Sequence, residues 1–266
     1  MTQWDKQEFC SVANAITTTN NNNQNTSKLP VLAIMGDSLS WEHYSSLIQL
    51  LGLAKPTEEE FKMSGKKKRD IVKSACNWTL IYRNSIHLEY VPAVLEAHKP
   101  NILILNRGAH YVADQQFMSE LNNTIKVLQD WQRNCTDQTC WLFVRTTVPG
   151  HPQCKNYTIP SNDIQEMEAL IANRSNYAPG KEFHWWDMKH QNQLMLDAFS
   201  KSGLTYQVID AYDINILRPD QHRDCLHSCY PGKMDVYNQL MLHFLKRNIL
   251  SPPSNLLAPL SRAITN

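Results

Sequence analysis

The sequence has 266 residues, 42% of them hydrophobic, and a formal net charge of +1. This length fits one α/β domain with a sizeable core. The near-neutral charge excludes the strongly basic field typical of nucleic-acid-binding proteins, so we predict no nucleic-acid partner. No run approaches the roughly 18 apolar residues of a membrane-spanning helix, and no transmembrane segment is predicted.

Residues 1–29 are polar and contain a tract of asparagines, Asn20–Asn23. They lack the basic and then apolar pattern of a signal peptide, so neither a signal nor an anchor is visible. Such composition is typical of segments that form no core. We therefore predict a disordered leader over 1–29, a folded domain over 30–250 and a C-terminal tail over 251–266.

The apolar run Val31–Met35 ends in Gly36-Asp37-Ser38-Leu39, and apolar residues at helical spacing follow over 41–53. This pattern predicts a buried strand that leads into a helix through a short turn. A serine in such a turn lies where backbone N–H groups and the helix dipole favour negative charge. Ser38 is therefore a candidate nucleophile with its own N–H as an oxyanion donor; the alternative is a simple helix N-cap.

Further along the chain, apolar runs and helical spacing alternate. Strands or extended segments are predicted over 78–91, 100–105, 141–144 and 205–209, and helices over 118–131, 182–200 and 234–249; the segment 150–180 is predicted to be an irregular loop. Such alternation is typical of a parallel sheet covered by helices on both faces, with its site at the carboxyl ends of the strands. The predicted fold class is a three-layer α/β/α domain with a central parallel sheet.

Two later motifs complement Ser38. Asn106 follows the strand 100–105, and its amide could donate to the same oxyanion, although a residue that only ends the strand would look identical. Asp224 and His227 lie three residues apart in a loop before the last helix. A carboxylate at this spacing can orient an imidazole as a general base, whereas a histidine alone is usually structural.

The order serine, asparagine, aspartate and histidine resembles that of the SGNH (GDSL-type) hydrolases. Four segments narrow the resemblance to the PC-esterase domain of trichome-birefringence-like proteins: Gly-Asp-Ser-Leu-Ser with Ser45-Ser46-Leu47, the block 106–111, the block 143–151 with Cys154, and Leu-Arg-Pro-Asp followed by Asp-Cys-Leu-His-Ser-Cys-Tyr-Pro-Gly. Plant members usually carry Arg-Asn-Gln where this chain has Trp41-Glu42-His43, and they have an N-terminal cysteine-containing subdomain.

The resemblance implies an SGNH-hydrolase-like fold, a Ser38–His227–Asp224 triad, and O-acetylation or deacetylation of glycans, commonly in the Golgi lumen. It implies no bound cofactor, but an acyl donor such as acetyl-CoA as co-substrate and a glycan or polysaccharide as partner. An esterase that passes the acyl group to water shares every step up to the acyl-enzyme. A catalytically silent glycan-binding protein is the third alternative, although a pure binder does not need the full triad.

Further candidates surround these motifs. Trp41, Arg107, His110 and Arg145 are predicted to bind substrate, although salt-bridge partners would explain the arginines equally well. His151 is a further candidate at the rim of the site, and His43 is a rival base whose place in the first helical turn makes alignment with Ser38 awkward. Trp185 and Trp186 could stack on sugars, although adjacent aromatic residues more often bury one ring and half-expose the other.

The chain has seven cysteines, none of them in a C-x-x-C pair, so a metal site is not predicted. Cys225 and Cys229 flank His227, and we predict that one of them forms a disulfide with Cys154, which would fix the loop. One cysteine of the seven must remain unpaired. Six Asn-x-Ser/Thr sequons begin at residues 25, 77, 122, 134, 156 and 173. Together with the cysteines they favour a secretory compartment, the Golgi lumen or the extracellular space.

Overall fold

The computed structural model describes residues 5–21, 29–66, 69–135, 140–177, 184–210 and 212–250. Its centre is a six-stranded sheet in the order β2-β3-β1-β4-β5-β6. The strands are β1 (Val31–Gly36), β2 (Ile71–Ala75), β3 (Trp78–Asn84), β4 (Ile102–Leu105), β5 (Trp141–Arg145) and β6 (Gln207–Ile209). The edge strand β2 is antiparallel to its neighbour, and the other pairs are parallel.

The α-helices in the described part of the chain are α1 (Lys6–Asn21), α2 (Ser38–Leu50), α3 (Glu58–Lys66), α4 (Val91–His98), α5 (Asp114–Arg133), α6 (Ile164–Ala172), α7 (Met188–Ser200), α8 (Tyr212–Ile216) and α9 (Lys233–Leu245). None of these helices is both long and apolar enough to cross a membrane.

The side chains of alternate strand residues pack in two separate hydrophobic cores, one on each face of the sheet. Leu32 and Ile34 of β1 pack with α1, α2 and α9 on one face of the sheet. Ala33 and Met35 of the same strand pack with α4, α5 and α7 on the other face. Because successive side chains of a strand point to opposite faces, a strand buried on both faces is apolar throughout. The predicted three-layer α/β/α fold is confirmed.

The predicted disordered leader is wrong for residues 5–21, most of which form α1. Phe9, Val12, Ala13 and Ile16 are buried in the core. Their spacing of three, one and three residues is that of one apolar helical face, which the neighbouring asparagine tract obscured. Residues 22–28 and the predicted tail 251–266 lie outside the described residues.

Other differences are local. The extended segment predicted over 78–91 ends at Asn84, and α4 follows. The predicted irregular loop 150–180 contains α6, whose N-cap Asp163 accepts hydrogen bonds from two backbone N–H groups. The helix predicted from 182 begins at Met188. Helices α4 and α6 are short and of marginal intrinsic stability, and they form because they pack on neighbouring elements.

The cysteines form three disulfides, Cys10–Cys76, Cys135–Cys140 and Cys154–Cys225. The predicted bridge between the Asp224–His227 loop and Cys154 is therefore confirmed. Cys229 is an exposed free thiol.

Candidate active site

The sharp turn between β1 and α2 presents Ser38. Gly36 has φ +145°, and a Cβ at this position would lie 2.3 Å from the carbonyl oxygen of Asn106 and 2.3 Å from Ser40 Oγ. Only glycine allows this approach of β1 to the end of β4. Ser38 is the first residue of α2, and its backbone N–H has no hydrogen-bond acceptor among the described residues. The turn therefore offers a hydroxyl and a free donor side by side.

The carboxylate of Asp37 holds this turn through two hydrogen bonds. One of its carboxylate oxygens accepts the N–H of Leu39 at 2.9 Å, and the other accepts the N–H of Ala109 at 2.7 Å. The second bond ties the Ser38 turn to the loop after β4. Gly108, in that loop, packs so closely on Asp37 that a Cβ would lie 2.2 Å from the carboxylate. No acceptor within the described ranges binds the Gly108 N–H, which makes it a candidate oxyanion donor that sequence reasoning missed.

Ser38, His227 and Asp224 lie in hydrogen-bond contact. Ser38 Oγ is 2.8 Å from Nε2 of His227. Nδ1 of the same ring lies 2.9 and 3.0 Å from the two carboxylate oxygens of Asp224. Because the carboxylate accepts, Nδ1 carries the hydrogen and Nε2 presents its lone pair to the serine hydroxyl. A hydroxyl, an imidazole and a carboxylate thus stand in the order found in serine triads that catalyse acyl transfer.

Asp224 also caps its own loop. It accepts the backbone N–H of His227 at 2.8 Å. Partial burial acts to raise its pKa, but hydrogen bonds from the backbone and ring of His227 outweigh it and hold the pKa of Asp224 below its usual range. The carboxylate is therefore ionised at neutral pH and available to stabilise an imidazolium.

Asn106 is buried and engaged by neighbours. Its Oδ1 accepts from the guanidinium of Arg145 at 2.7 Å, and its amide donates to Arg145 O and to Thr147 Oγ1, both at 2.9 Å. The guanidinium fixes the orientation of the amide because it can only donate. Both amide hydrogens of Asn106 therefore have acceptors, so the predicted oxyanion contact requires one of them to leave Thr147 or the Arg145 carbonyl.

The loop that carries Asp224 and His227 is held by tethers. The Cys154–Cys225 disulfide anchors one side. His151 Nε2 lies 2.7 Å from Ile216 O, and its Nδ1 lies 2.6 Å from Nε2 of His222. A carbonyl only accepts, so Nε2 of His151 is the protonated nitrogen and Nδ1 faces the His222 ring. This buried neutral pair connects the segment before α6 to the loop.

A cleft of about 740 Å³ opens in front of Ser38 and His227. Its walls combine aromatic rings with charged side chains, among them Trp41, Phe61, Tyr90, Tyr230, Lys55, Lys62, Glu58, Glu89 and Arg223. Trp41 is half-buried, stacks with Tyr44 and contacts the ring of Phe61 in a tilted arrangement. His110 also lines the cleft, with Nε2 4.0 Å from Asp37. The predicted substrate-binding residues Trp41 and His110 thus both face the cleft.

The two arginines do not face it. Arg145 is fully buried beneath the site against Ser40 and Asn106. Arg107 is buried in a salt bridge with Glu120, 2.8 Å from Nε. The predicted direct contact with substrate is therefore wrong for both arginines. An arginine that follows a strand of an α/β sheet can have a structural role as readily as a substrate-binding one.

Three other candidates also have structural roles. His151 belongs to the buried pair described above. His43 is fully buried, and burial lowers its pKa well below the usual range, so it is a neutral core group rather than a base. Trp185 is buried against Tyr177 while Trp186 is half-exposed, as expected for adjacent aromatic residues.

Sequence comparison gives two Arabidopsis thaliana relatives. Trichome birefringence-like 26 is 25% identical over 181 aligned residues, covering 54% of this chain and 37% of that protein. Trichome birefringence-like 20 is 23% identical over 162 residues, covering 55% and 32%. This chain is similar in sequence to these two trichome birefringence-like proteins. The predicted PC-esterase resemblance is thus confirmed, although the chain spans only about a third of the length of these relatives. No family model matches.

Among solved structures, a Bacteroides fragilis protein described as an acylhydrolase matches with a TM-score of 0.42 and 12% identity. The match covers 92% of this chain and 98% of that chain.

Proposed function

We propose that this chain is an O-acyltransferase that acts on glycan hydroxyls, with acetyl as the acyl group. The observation that carries the proposal is the 2.8 Å contact between Ser38 Oγ and His227 Nε2, with Asp224 on the other ring nitrogen. An aromatic and charged cleft suits a sugar, whose ring faces stack and whose hydroxyls hydrogen-bond.

In the proposed reaction, Ser38 Oγ attacks the carbonyl carbon of the acyl donor while His227 takes the serine proton. The N–H of Ser38 binds the oxyanion, joined by Gly108 N–H or by Asn106 if its amide turns from Thr147. His227 then protonates the leaving group, which yields the acyl-enzyme. A sugar hydroxyl gives its proton to His227 and attacks the ester, and collapse of the second oxyanion returns the proton to Ser38 Oγ.

The esterase alternative replaces the sugar hydroxyl by water and leaves every earlier step unchanged. The distinction is made by supplying the protein with an acetyl donor and a series of polysaccharide oligomers, and following acetylated oligomer and free acetate together. Acetylated product supports the transferase. Free acetate alone with every acceptor supports the esterase.

The nucleophile is tested with a fluorophosphonate probe that reacts with activated serines. We expect labelling of wild type and none of Ser38→Ala, with a fall in acyl transfer of several orders of magnitude. Asn106→Ala should lower the rate by about 10²–10³ if the amide joins the oxyanion hole. A Ser38→Ala protein with the wild-type rate would exclude both the transferase and the esterase.

We further propose a secretory location, the Golgi lumen or outside the cell. The three disulfides support it, since such bonds persist in oxidising compartments. Asn156 and Asn173 start sequons and are exposed, so a glycosyltransferase could reach them. Protein from the native cell should lose mass on treatment with an N-glycosidase; unchanged mass and free thiols would contradict this location.

A further inference from the structure

A carboxylate in the cleft wall has no part in the mechanism above. Glu42 lies four residues after Ser38 in α2, so both side chains project from one face of the helix. It lines the same cleft as Ser38 and His227, yet it is only 3% exposed. Both carboxylate oxygens lie within hydrogen-bond distance of the backbone N–H of Ser228, at 2.9 and 3.1 Å.

This contact joins the two halves of the site. Ser228 follows His227 directly and is itself buried. Glu42 and Ser38 belong to one helix turn, whereas Ser228 and His227 belong to the loop. The Glu42–Ser228 bond therefore sets the distance between helix and loop independently of the Ser38–His227 bond that the reaction must break and remake.

The position of Glu42 is costly for a carboxylate. Burial raises the pKa of Glu42 to about 7, against the opposing effects of His227, the Ser228 N–H, and the cations Lys233 and Arg223. Lys233 is 2% exposed and approaches His222 rather than a carboxylate, with Nζ 3.1 Å from Nε2. A buried ionisable group in a cleft is a poor source of stability and is typical of functional sites.

We propose that Glu42 is a positioning residue for the acyl transfer proposed above: by accepting the N–H of Ser228, it holds Nε2 of His227 at hydrogen-bond distance from Ser38 Oγ. The inference rests on that proposed function. It assigns Glu42 no contact with the reacting atoms. What the reaction needs from it is an acceptor oxygen at the right place.

Two substitutions separate the acceptor from the bulk of the side chain. Glu42→Gln keeps a carbonyl oxygen for Ser228, whereas Glu42→Met keeps the length and removes the acceptor. Glu96→Gln, an exposed glutamate of α4, is the matched control. For each folded variant, the measurements are the fluorophosphonate labelling rate and kcat and KM for hydrolysis of an aryl acetate.

We expect Glu42→Met to lower kcat and the labelling rate by up to about 10², the effect of a catalytic group displaced by roughly 1 Å, with KM little changed. Glu42→Gln should return both rates close to wild type, and Glu96→Gln should match wild type. If Glu42→Met does not fold, Glu42→Asp takes its place, because it withdraws the acceptor by one methylene and should also lower kcat.

The inference would be overturned if Glu42→Met had the wild-type rates. Where that variant does not fold, wild-type rates in Glu42→Asp would overturn it. So would a Glu42→Gln protein as slow as Glu42→Met, because the acceptor alone would then be insufficient. Both results leave the proposed function intact as long as wild type is labelled. A wild-type protein that the probe does not label overturns the proposed function and this inference with it.

Discussion

The proposed nucleophile, Ser38, and the proposed base, His227, are held in different ways. Ser38 stands at the end of the central strand β1, paired with β3 on one side and β4 on the other. Its neighbour Asp37 is buried and bonded to two backbone N–H groups. Asp224 and His227 lie in an irregular loop, and the Asp224 side chain is 48% exposed.

The difference means that the two halves can be disturbed separately. The position of Ser38 depends on sheet register, so it cannot change without damage to the core. The position of His227 depends on a few tethers: the disulfide at Cys225, the His151–His222 pair and the Glu42–Ser228 bond. Substitutions in the turn that presents Ser38 should therefore cost stability and activity together, whereas substitution of the half-exposed Asp224 should affect mainly activity.

The largest effect is expected for Asp224→Asn, on the loop side. An amide at this position can turn its NH₂ toward Nδ1, which favours the tautomer that places a hydrogen on Nε2, the atom that must accept from Ser38. We expect kcat for an aryl acetate to fall by about 10⁴. The melting temperature should change little because the side chain is half-exposed. A kcat within tenfold of wild type, a loss of only about 1.4 kcal/mol, would show that Asp224 does not orient His227.

Gly108→Ala is the corresponding change on the sheet side. A Cβ there would lie 2.2 Å from the Asp37 carboxylate at φ +87°, so the turn that presents Ser38 must shift. We expect activity to fall by about 10² and thermal stability to fall as well. Gly203→Ala is a matched control, since Gly203 has φ +71° with no atom within 4 Å of the added Cβ. It should lose about 1 kcal/mol of unfolding free energy and no activity. Equal activity in the two variants would contradict the role of this turn.

Two of the disulfides allow a matched test, because they close segments of similar length but only one of them lies at the loop that carries His227. Cys154–Cys225 closes a segment of 71 residues at the loop, and Cys10–Cys76 closes one of 66 residues between α1 and the end of β2. Replacing either pair by serine should lower the unfolding free energy by about 2–4 kcal/mol, because the closed lengths are similar. Only the Cys154/Cys225 double variant should also lose activity in its folded fraction. Equal activities, measured where both are folded, would show that the disulfide does not position His227.

The sequence predicted the sheet side well because its signals are local. An apolar run followed by Gly36-Asp37-Ser38 has few structural interpretations. The bounds of β1, β4, β5 and β6 were each predicted within two residues, whereas the extended segment that became β3 was predicted too long. The contact between Asp224 and His227 followed from their spacing of three residues. Helix α1 was missed because four apolar residues stand beside a polar tract.

What could not be predicted depends on tertiary burial. Arg107 and Arg145 follow strands just as substrate-binding arginines would, and only their neighbours show that they are structural. The hydrogen bond from the Ser228 N–H to Glu42 joins residues that are 186 positions apart in the chain. The amide hydrogens of Asn106 have acceptors that lie 39 and 41 residues away. No local pattern encodes such contacts.

The smallest effect is expected in the pH dependence of the free energy of unfolding, to which His151 contributes. Burial lowers the pKa of His151 to about 4, and the nearby charge of Lys233 adds to the effect. In the unfolded chain this histidine titrates near 6.5. Between pH 6.5 and 4 the unfolded state therefore binds a proton that the native state excludes. The His151 contribution to stability is complete above pH 6.5 and is lost as pH falls toward 4.

The shift corresponds to at most about 3 kcal/mol. Glu42 acts in the opposite sense, since its raised pKa makes stability fall as pH rises from 4.5 to about 7. The informative quantity is thus the difference between wild type and His151→Gln, measured by chemical unfolding at pH 4.5, 5.5 and 7. Because a glutamine side chain does not titrate, this difference should be largest at pH 7 and should shrink as the pH falls. His243→Gln, at an exposed position of α9, should follow the wild-type curve. A His151→Gln curve parallel to wild type would show that the tether of the base does not depend on a neutral His151.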